Sequence, residues 1–311
     1  LHRVDRRQRQ MCIRDRTMAS TIKICQFNSG KRDAALDELS NRIRHGQTNL
    51  ILITEPPTRK EFLDGKNKFR YITKKLENCK DGIMFESLQG NEPSRSSIWI
   101  EKDLAKNTQC TLLNQFCSRD VTSILLRIET RNVVKNIVIS SIYMPHFNED
   151  NKFIDDPINN QIKELITFTK KENFGLIIGT DSNAHSGAWG CCKDDKRGLN
   201  LVDSCIEFEL DIMNLGSTPT FDIGDKKSII DITLANKLAS ALVNNWRVDP
   251  RPSFSDHKMI FYELEHKDTK TEYYLDKKKT NWKVFRRKLQ NLLPELDKEL
   301  NKTENLDDFV S

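Results

Sequence analysis

The 311-residue sequence lacks any apolar run that approaches twenty residues, and its mean hydropathy is −0.61. A membrane-spanning helix needs about 20 consecutive, mostly apolar residues, so we expect no membrane partner. The chain also lacks internal repeats and low-complexity tracts. With 37% hydrophobic residues, a chain of this length buries the core of one large domain or two medium ones.

Paired cysteine motifs are absent as well. The eight cysteines form no CxxC pair, and Cys191 and Cys192 are adjacent, which does not match the usual spacing of zinc ligands. A protein with such cysteines is expected to keep free thiols in a reducing compartment, without structural zinc. We therefore expect a protein that is not secreted.

The central part of the chain has no excess of positive charge. Residues 1–20 contain six Arg and two Asp (+4), and residues 267–311 contain eleven Lys or Arg and nine Asp or Glu (+2). The whole chain carries +5, which leaves −1 for residues 21–266. Contact with a polyanion must therefore use local patches or a metal ion rather than a basic surface.

Three regions are expected. Residues 1–20 are interpreted as translated non-coding or cloning sequence ahead of Met18, with a nucleic-acid arm or a targeting peptide as alternatives. Residues 21–266 form the folded domain. Residues 267–311 read as a charged linker and an amphipathic helix, which packs on a partner or back on the same domain.

Residues 21–266 interleave many short strands with helices, which predicts a layered α/β or α+β domain. Helices are predicted at 33–44, 156–170 and 199–210. Strands are predicted at 21–27, 49–54, 81–85, 96–100, 121–128, 136–141, 175–179, 212–215, 228–234 and 259–264.

Several apolar runs finish at a hydrogen-bonding or ionisable residue. Taken singly, each such residue is an ordinary turn or capping residue. Together they are types suited to divalent metal and phosphate chemistry, and strand ends at one rim of a sheet commonly bind ligands. The residues are Asn28, Glu55, Tyr143, Asp181 with Asn183, Asp231, and Ser255 with Asp256 and His257.

Phosphodiester hydrolysis needs such a set. Mg²⁺ prefers oxygen ligands and takes one or two protein carboxylates, which Glu55 could supply. Asp181 and Asn183 are two residues apart and face the same side of an extended segment, so one accepts a proton from water while the other donates to a phosphoryl oxygen. His257 bonds phosphate or transfers a proton, and Asp231 is a candidate to fix its tautomer.

The motifs, in this order, resemble the endonuclease/exonuclease/phosphatase superfamily, and most of all the endonuclease domain of arthropod-type non-LTR retrotransposon polyproteins. The resemblance implies a DNase I-like fold over residues 21–266, an α/β four-layer sandwich of two mixed β-sheets flanked by helices. The segments that carry it are Asn28, TEPP (54–57), Tyr143, GTDSNAH (179–185), RGLNLVDSCIEFEL (197–210), MNLGSTPTF (213–221), SIIDITL (228–234) and FSDH (254–257).

The resemblance also implies an activity: an Mg²⁺-dependent DNA endonuclease, with Mn²⁺ able to substitute, that nicks double-stranded target DNA to expose a 3′-hydroxyl primer. The implied partners are a reverse transcriptase domain of a longer polyprotein and the element RNA. The implied location is cytoplasmic after synthesis and nuclear at the site of action. The alternatives are an abasic-site endonuclease or phosphatase of the same superfamily, or a decayed copy that binds nucleic acid without cleaving it.

By position, the resemblance implies roles for individual residues. Asp181 would activate water or handle the leaving oxygen, Asn183 and Tyr143 would hold the phosphate, and Asp231 would orient His257. The remaining assignments are Glu55, Asn28 and Asp256 for the metal, and Thr220 and Phe221 for DNA. Arg95, Lys226 and Lys227 are further candidates for phosphate contact, with ordinary solvated charges as the alternative.

Overall fold

The computed structural model describes residues 21–62, 69–77, 79, 81–87, 92–129, 134–147 and 152–265. The chain divides into two units, Leu1–Lys267 and Asp268–Ser311, and every described residue belongs to the first. The basic segment 1–20 and the amphipathic helix predicted within 267–311 lie outside the described residues.

The first of two six-stranded sheets contains both described ends of the chain. β1 and β2 run parallel, and the other neighbouring strands of this sheet run antiparallel. Its strands, in spatial order, are β15 (Val243–Val248), β16 (Ile260–Glu265), β1 (Thr21–Asn28), β2 (Leu50–Thr54), β6 (Ser96–Glu101) and β5 (Gly82–Glu86).

The second sheet has the same mixed character. β9 and β10 run parallel, and its other neighbouring strands run antiparallel. Its strands, in spatial order, are β11 (Leu210–Ile212), β14 (Asp231–Asn236), β10 (Gly175–Asp181), β9 (Val134–Tyr143), β8 (Val121–Glu129) and β7 (Thr111–Leu112).

Helices and two small hairpins surround the sheets. Within the described ranges, no helix is long and apolar enough to cross a membrane. The hairpins are β3 (Thr58–Phe62) with β4 (Phe69–Thr73), and β12 (Phe221–Ile223) with β13 (Lys226–Ser228). The α-helices are α1 (Asp33–Arg44), α2 (Lys102–Asn107), α3 (Asn160–Lys171), α4 (Lys196–Glu207) and α5 (Lys237–Ser240), and short 3₁₀ turns span Asn114–Phe116 and Gly187–Trp189.

The two sheets pack face to face. Ile24 and Leu52 of the first sheet share one buried cluster with Ile139 and Ile177 of the second. The outer face of the first sheet packs on α1, and the outer face of the second packs on α3 and α4. The layers are therefore helix, sheet, sheet and helices, which confirms the predicted four-layer α/β sandwich.

This layering brings the ends of both parallel strand pairs to one rim. In the first sheet Asn28 lies opposite Thr54, the residue before Glu55. In the second sheet Tyr143 lies opposite Asp181. Because parallel neighbours end at the same edge, two pairs of polar strand ends face each other across the sheet interface.

Some predicted boundaries are wrong, and local hydrogen bonds explain why. The helix predicted at 156–170 begins at Asn160, because the Asn159 side chain accepts from the Ile162 amide and caps it. The helix predicted at 199–210 spans Lys196–Glu207, and Leu210 instead opens β11, so the strand predicted at 212–215 is also displaced.

The strand predicted at 228–234 is two strands. Ser228 ends β13, and Asp231 begins β14. Between them, the Thr220 hydroxyl accepts hydrogen bonds from the Ile230 and Asp231 amides. Asp231 thus starts a strand rather than ending an apolar run. It still meets Asp181, because β14 is antiparallel to β10.

The prediction of free thiols is confirmed for the described residues. Among the described residues, Cys25, Cys110, Cys117, Cys191, Cys192 and Cys205 are free thiols. Burial raises the pKa of the Cys205 thiol to about 12, so that thiol stays protonated near neutral pH.

Candidate active site

Glu55 follows β2 directly and occupies a left-handed backbone conformation, with φ of 46°. A non-glycine residue pays a conformational cost there, so it must be held in place. The Glu55 amide donates to the Arg95 carbonyl at 2.9 Å, and its carbonyl accepts from the Lys31 amide at 2.8 Å and from the Ser29 hydroxyl at 2.8 Å. Its carboxylate is 21% exposed and lies 3.1 Å from the Lys31 ammonium.

Asn28, the last residue of β1, connects the two sheets through its fully buried side chain. Its amide nitrogen donates to Asp181 at 2.8 Å and to Glu55 at 3.3 Å. Its amide oxygen accepts from the Gly30 amide at 2.8 Å. In this arrangement Asn28 positions the two carboxylates rather than presenting a free oxygen.

Asp181 and Asn183 lie at the end of β10, beside Tyr143. Burial and the charge of Asp231 raise the pKa of Asp181, while His257 and Asn28 oppose the rise. The backbone N–H of Asn183 donates to the Asp181 carboxylate at 3.2 Å, and the Asn183 side-chain nitrogen donates to the Met144 carbonyl at 3.1 Å. Burial and the negative charges of Glu55 and Asp181 raise the pKa of Tyr143 to about 12, which keeps its phenol a hydrogen-bond donor.

His257 and Asp231 form a buried pair, with 2.7 Å between Nδ1 and the carboxylate. Burial disfavours the charged imidazole, but Asp231, together with Asp181 and Glu55, outweighs it and raises the pKa of His257 to about 9. The Phe221 ring packs edge-on against the imidazole at 5.1 Å between centroids. Asp231 therefore fixes the tautomer of His257 and stabilises its charge.

These side chains border one open cleft of about 1040 Å³. Glu55, Tyr143, Asp181, Asn183 and His257 line it, whereas Asn28 and Asp231 support its wall from behind. Its rim also contains four lysines, which places positive charge around a negative centre. They are Lys31, Lys193, Lys226 and Lys227.

The centre fits a divalent cation. One ligand atom from each of Asp181, Asp231 and His257 lies within 4.8 Å of the others, and Asn28 joins Asp181 to Glu55. Burial, and then the negative charge of Asp231, raise the pKa of Asp181. A hard cation with oxygen ligands would offset that charge. His257 and Asp231 are bonded to each other, so Asp181 and the neighbouring Glu55 are the carboxylates that could hold it.

The other predicted site residues lie farther from this centre. Asp256 binds the Arg32 guanidinium at 2.7 Å, at the rim of the cleft. Arg95 pairs with Asp120 and stacks over the Tyr143 ring at 4.8 Å from its centroid. Thr220 is fully buried and contacts backbone amides.

The β12–β13 hairpin places Lys226 and Lys227 at the cleft. Lys227 lies 3.5 Å from Asp222 on the same hairpin. Both lysines are exposed, so they are positioned to meet a ligand that enters the cleft.

The sequence did not indicate two positively charged residues of the site, Lys31 and Arg197. Lys31 contacts Glu55, and Arg197 is buried with its guanidinium donating to the carbonyls of Ser182, Met144 and Ile154. Neither has a spacing signal of its own. The Arg197-Gly198 pair at the start of α4 was the available signal in the sequence. Gly198 is needed there because a Cβ would collide with the His185 carbonyl, so the helix packs closely on that loop.

Comparisons with known proteins agree with this geometry. The family model described as endonuclease-reverse transcriptase matches residues 137–261. The chain is 25% identical over 204 residues to the retrovirus-related Pol polyprotein from type-1 retrotransposable element R1 of Bradysia coprophila, a match that covers 62% of this chain and 18% of that protein. The chain thus spans under a fifth of that relative's length.

Solved structures show the same fold. The endonuclease domain of TRAS1, a telomere-specific non-LTR retrotransposon, superposes with a TM-score of 0.59 at 24% identity and covers 79% of this chain and 99% of that one. The AP endonuclease LMAP from Leishmania major gives a TM-score of 0.59 at 10% identity, over 79% and 88% of the two chains. The chain thus shares the fold of these two nuclease structures, and residues 137–261 are similar to the endonuclease-reverse transcriptase family.

Proposed function

We propose that this chain is an Mg²⁺-dependent DNA endonuclease that nicks double-stranded DNA and leaves a 3′-hydroxyl primer, with Mn²⁺ able to replace Mg²⁺. The observation that supports this most is the meeting of Glu55, Asp181, Asn183 and the His257–Asp231 pair in one cleft rimmed by lysines. A phosphodiester is the substrate class that such carboxylates, donors and surrounding cations suit.

In this proposal each side chain has one task. Asp181 takes a proton from the attacking water, which suits a carboxylate with a raised pKa. Asn183, Tyr143 and the imidazolium of His257 donate hydrogen bonds to phosphoryl oxygens as charge builds on them.

Glu55 is the proposed metal ligand, Asn28 aligns its carboxylate, and Asp256 adds negative charge at the rim. A bound Mg²⁺ would supply Lewis-acid stabilisation of the phosphate and the leaving oxygen. Thr220 shapes the turn that carries Phe221, and Phe221, Lys226, Lys227 and Arg95 are proposed DNA-side residues.

We further propose that the domain acts within a longer polyprotein. Its curated relative is named as a Pol polyprotein, of which this chain spans 18%. A reverse transcriptase domain would use the 3′-hydroxyl with the element RNA as template. That role requires action in the nucleus after synthesis in the cytoplasm.

A substrate panel tests the proposal against its alternatives. Supercoiled plasmid, a duplex with one abasic site, and inositol phosphates are incubated with the protein in Mg²⁺ or in EDTA. We expect nicking of intact plasmid in Mg²⁺ alone, with 3′-hydroxyl ends that a polymerase extends. Cleavage of only the abasic duplex, or release of only inorganic phosphate, would overturn the retroelement assignment. DNA binding without any cleavage would indicate an inactive copy.

A further inference from the structure

Two phenyl rings beside the cleft are more than half exposed: Phe147 at 54% and Phe153 at 53%. They contact each other edge-on at 5.8 Å between centroids. The imidazole of His146 stacks on Phe153 at 6.2 Å with an interplanar angle of 29°. Neither phenyl ring belongs to any of the three buried clusters of the described domain. We call these three rings the aromatic platform.

The aromatic platform is continuous with the reaction centre. His146 lines the same cleft as Glu55 and Asp181. Asn183, the residue proposed to hold the scissile phosphate, also lines this cleft. The platform rings therefore begin at the cleft in which that phosphate would lie.

Hydrogen bonds join the two backbone segments that carry the platform. Phe147 and Phe153 pair as an isolated antiparallel bridge, and the Ile154 amide donates to the His146 carbonyl at 2.8 Å. The buried guanidinium of Arg197 donates to the Ile154 carbonyl at 2.5 Å and to the Met144 carbonyl at 3.1 Å, on either side of these rings.

The same guanidinium donates to the Ser182 carbonyl at 3.0 Å, between Asp181 and Asn183. One buried cation thus couples the platform to the catalytic segment. A preorganised aromatic surface binds a stacked ligand more tightly, because its side chains lose less conformational entropy on binding.

A nucleobase is the ligand that matches this surface. Successive nucleotides of one DNA strand are about 3.4 Å apart along the axis when stacked, so rings at the edge of the cleft are suited to meet a base that neighbours the scissile phosphate. Aromatic side chains stack on bases of any sequence. They also act as apolar wedges at base steps that open easily.

We propose that His146, Phe147 and Phe153 form a base-stacking site that holds an unstacked base next to the nicked bond, and so favours deformable or unpaired steps. The inference rests on the proposed endonuclease function. It adds a binding site on the strand being cut, separate from the β12–β13 hairpin and from the carboxylates.

The first test measures stacking by kinetics. The substrate is a duplex that carries the mapped nick site. Under single-turnover conditions, kcat/KM is measured for the protein and for Phe153→Ala, Phe153→Leu, Phe153→Trp and Phe147→Ala. We expect alanine and leucine to lower kcat/KM by about tenfold, the scale of losing one base stack, and tryptophan to restore it. Phe62→Ala is the control, because Phe62 is 74% exposed and does not line the cleft.

The DNA side of the contact is tested on the same duplex. Replacing bases near the nick one at a time by 5,6-dihydrothymine, whose saturated ring stacks poorly, should abolish the difference between the protein and Phe153→Ala at one position. A leucine variant as active as the protein, or a loss that persists at every position, would overturn the proposal. Such a loss would indicate a structural role or a site for a protein partner.

A binding measurement separates failure of this inference from failure of the nuclease assignment. 2-Aminopurine is placed at successive positions of a mismatched duplex and its fluorescence is recorded with protein in EDTA, where no cleavage is needed. Quenching at one or two adjacent positions that Phe153→Ala removes supports the platform even if no nicking occurs. Fluorescence that is the same for the protein and for Phe153→Ala at all positions would refute it. The thermal midpoint of each variant confirms that it is folded.

Discussion

At the scale of single residues, the site depends on one buried amide. Asn28 donates to Asp181 and Glu55, which come from different sheets. Two carboxylates brought together without such a donor would repel each other and bind protons instead. Burial, and then the charge of Asp231, raise the pKa of Asp181, whereas burial opposes the rise in the pKa of His257 that Asp231 produces.

The pKa of His257 provides a residue-scale prediction. Asp231→Asn removes the charge that contributes most to stabilising the imidazolium, so the pKa of His257 should fall from about 9 towards the ordinary value near 6.5. Histidine titration by NMR of the metal-free protein measures this. Nicking activity should fall by about 100-fold or more, because His257 would no longer be a charged donor to the phosphate near neutral pH.

A second histidine–aspartate pair supplies the matched control. His185 and Asp195 lie 2.7 Å apart at another part of the cleft. Asp195→Asn keeps the hydrogen-bonding shape and should leave the pKa of His257 where it is. An unchanged His257 titration in Asp231→Asn, or an equal drop in both variants, would refute the assigned pairing.

The residue types of the site and the pairing of Asp231 with His257 were predictable, whereas other contacts were not. Polar residues after apolar runs marked Asn28, Glu55, Tyr143 and Asp181. Nothing in the spacing indicated that Asp256 would bind Arg32. Such partners come from distant parts of the chain, and only the assembled fold decides them.

At the scale of elements, strongly periodic segments were predictable and weakly apolar ones were not. The helix predicted at 33–44 matches α1, because its apolar face is regular. The β3–β4 hairpin was missed, since its first strand reads TRKEF and buries little. β15 was missed because its strand is broken by a bulge near Asn245, where φ is 56°.

Helix α4 provides an element-scale prediction. A Cβ on Gly198 would lie 1.9 Å from the His185 carbonyl oxygen, so Gly198→Ala must push α4 away from the loop that follows Asn183. We expect a loss of about 2–3 kcal/mol in the free energy of unfolding, as overpacking costs, together with lower nicking activity because Arg197 moves with the helix.

Denaturant unfolding measures the stability loss. Asp203→Ala, an exposed position on the same helix, is the control and should change stability by about 0.5 kcal/mol or less. If Gly198→Ala were as stable and as active as Asp203→Ala, the proposed role of this helix in holding the catalytic loop would be wrong.

At the scale of the whole molecule, a buried ion pair connects α1 to the segment between β15 and β16. Arg42 lies 3.3 Å from Asp249, and both are nearly buried. Burial opposes ionisation of Asp249, but hydrogen bonds from Arg251 and the charge of Arg42 prevail and lower its pKa. Its stabilising effect is therefore full above the ordinary pKa and is lost as the pH falls through the lowered value.

Asp249→Asn should reduce the free energy of unfolding by about 2–3 kcal/mol near neutral pH, because the buried Arg42 loses one of its two carboxylate partners and keeps Glu38. The difference from the unmodified protein should shrink in acid, where Asp249 itself becomes protonated. Urea unfolding at a series of pH values measures this. A difference that stays constant, or grows as the pH falls, would contradict the lowered pKa.

The central claim is that one cleft, formed where two parallel strand pairs end, hydrolyses DNA with a metal held by Glu55. The most direct measurement is the single-turnover rate of nicking supercoiled plasmid in Mg²⁺ by the protein and by Glu55→Gln, which keeps the shape of the side chain and removes its charge. We predict that Glu55→Gln nicks at least about 100-fold more slowly and has an unchanged thermal midpoint. Neither protein should nick in EDTA. Equal rates in Mg²⁺, or nicking that continues in EDTA, would contradict the account.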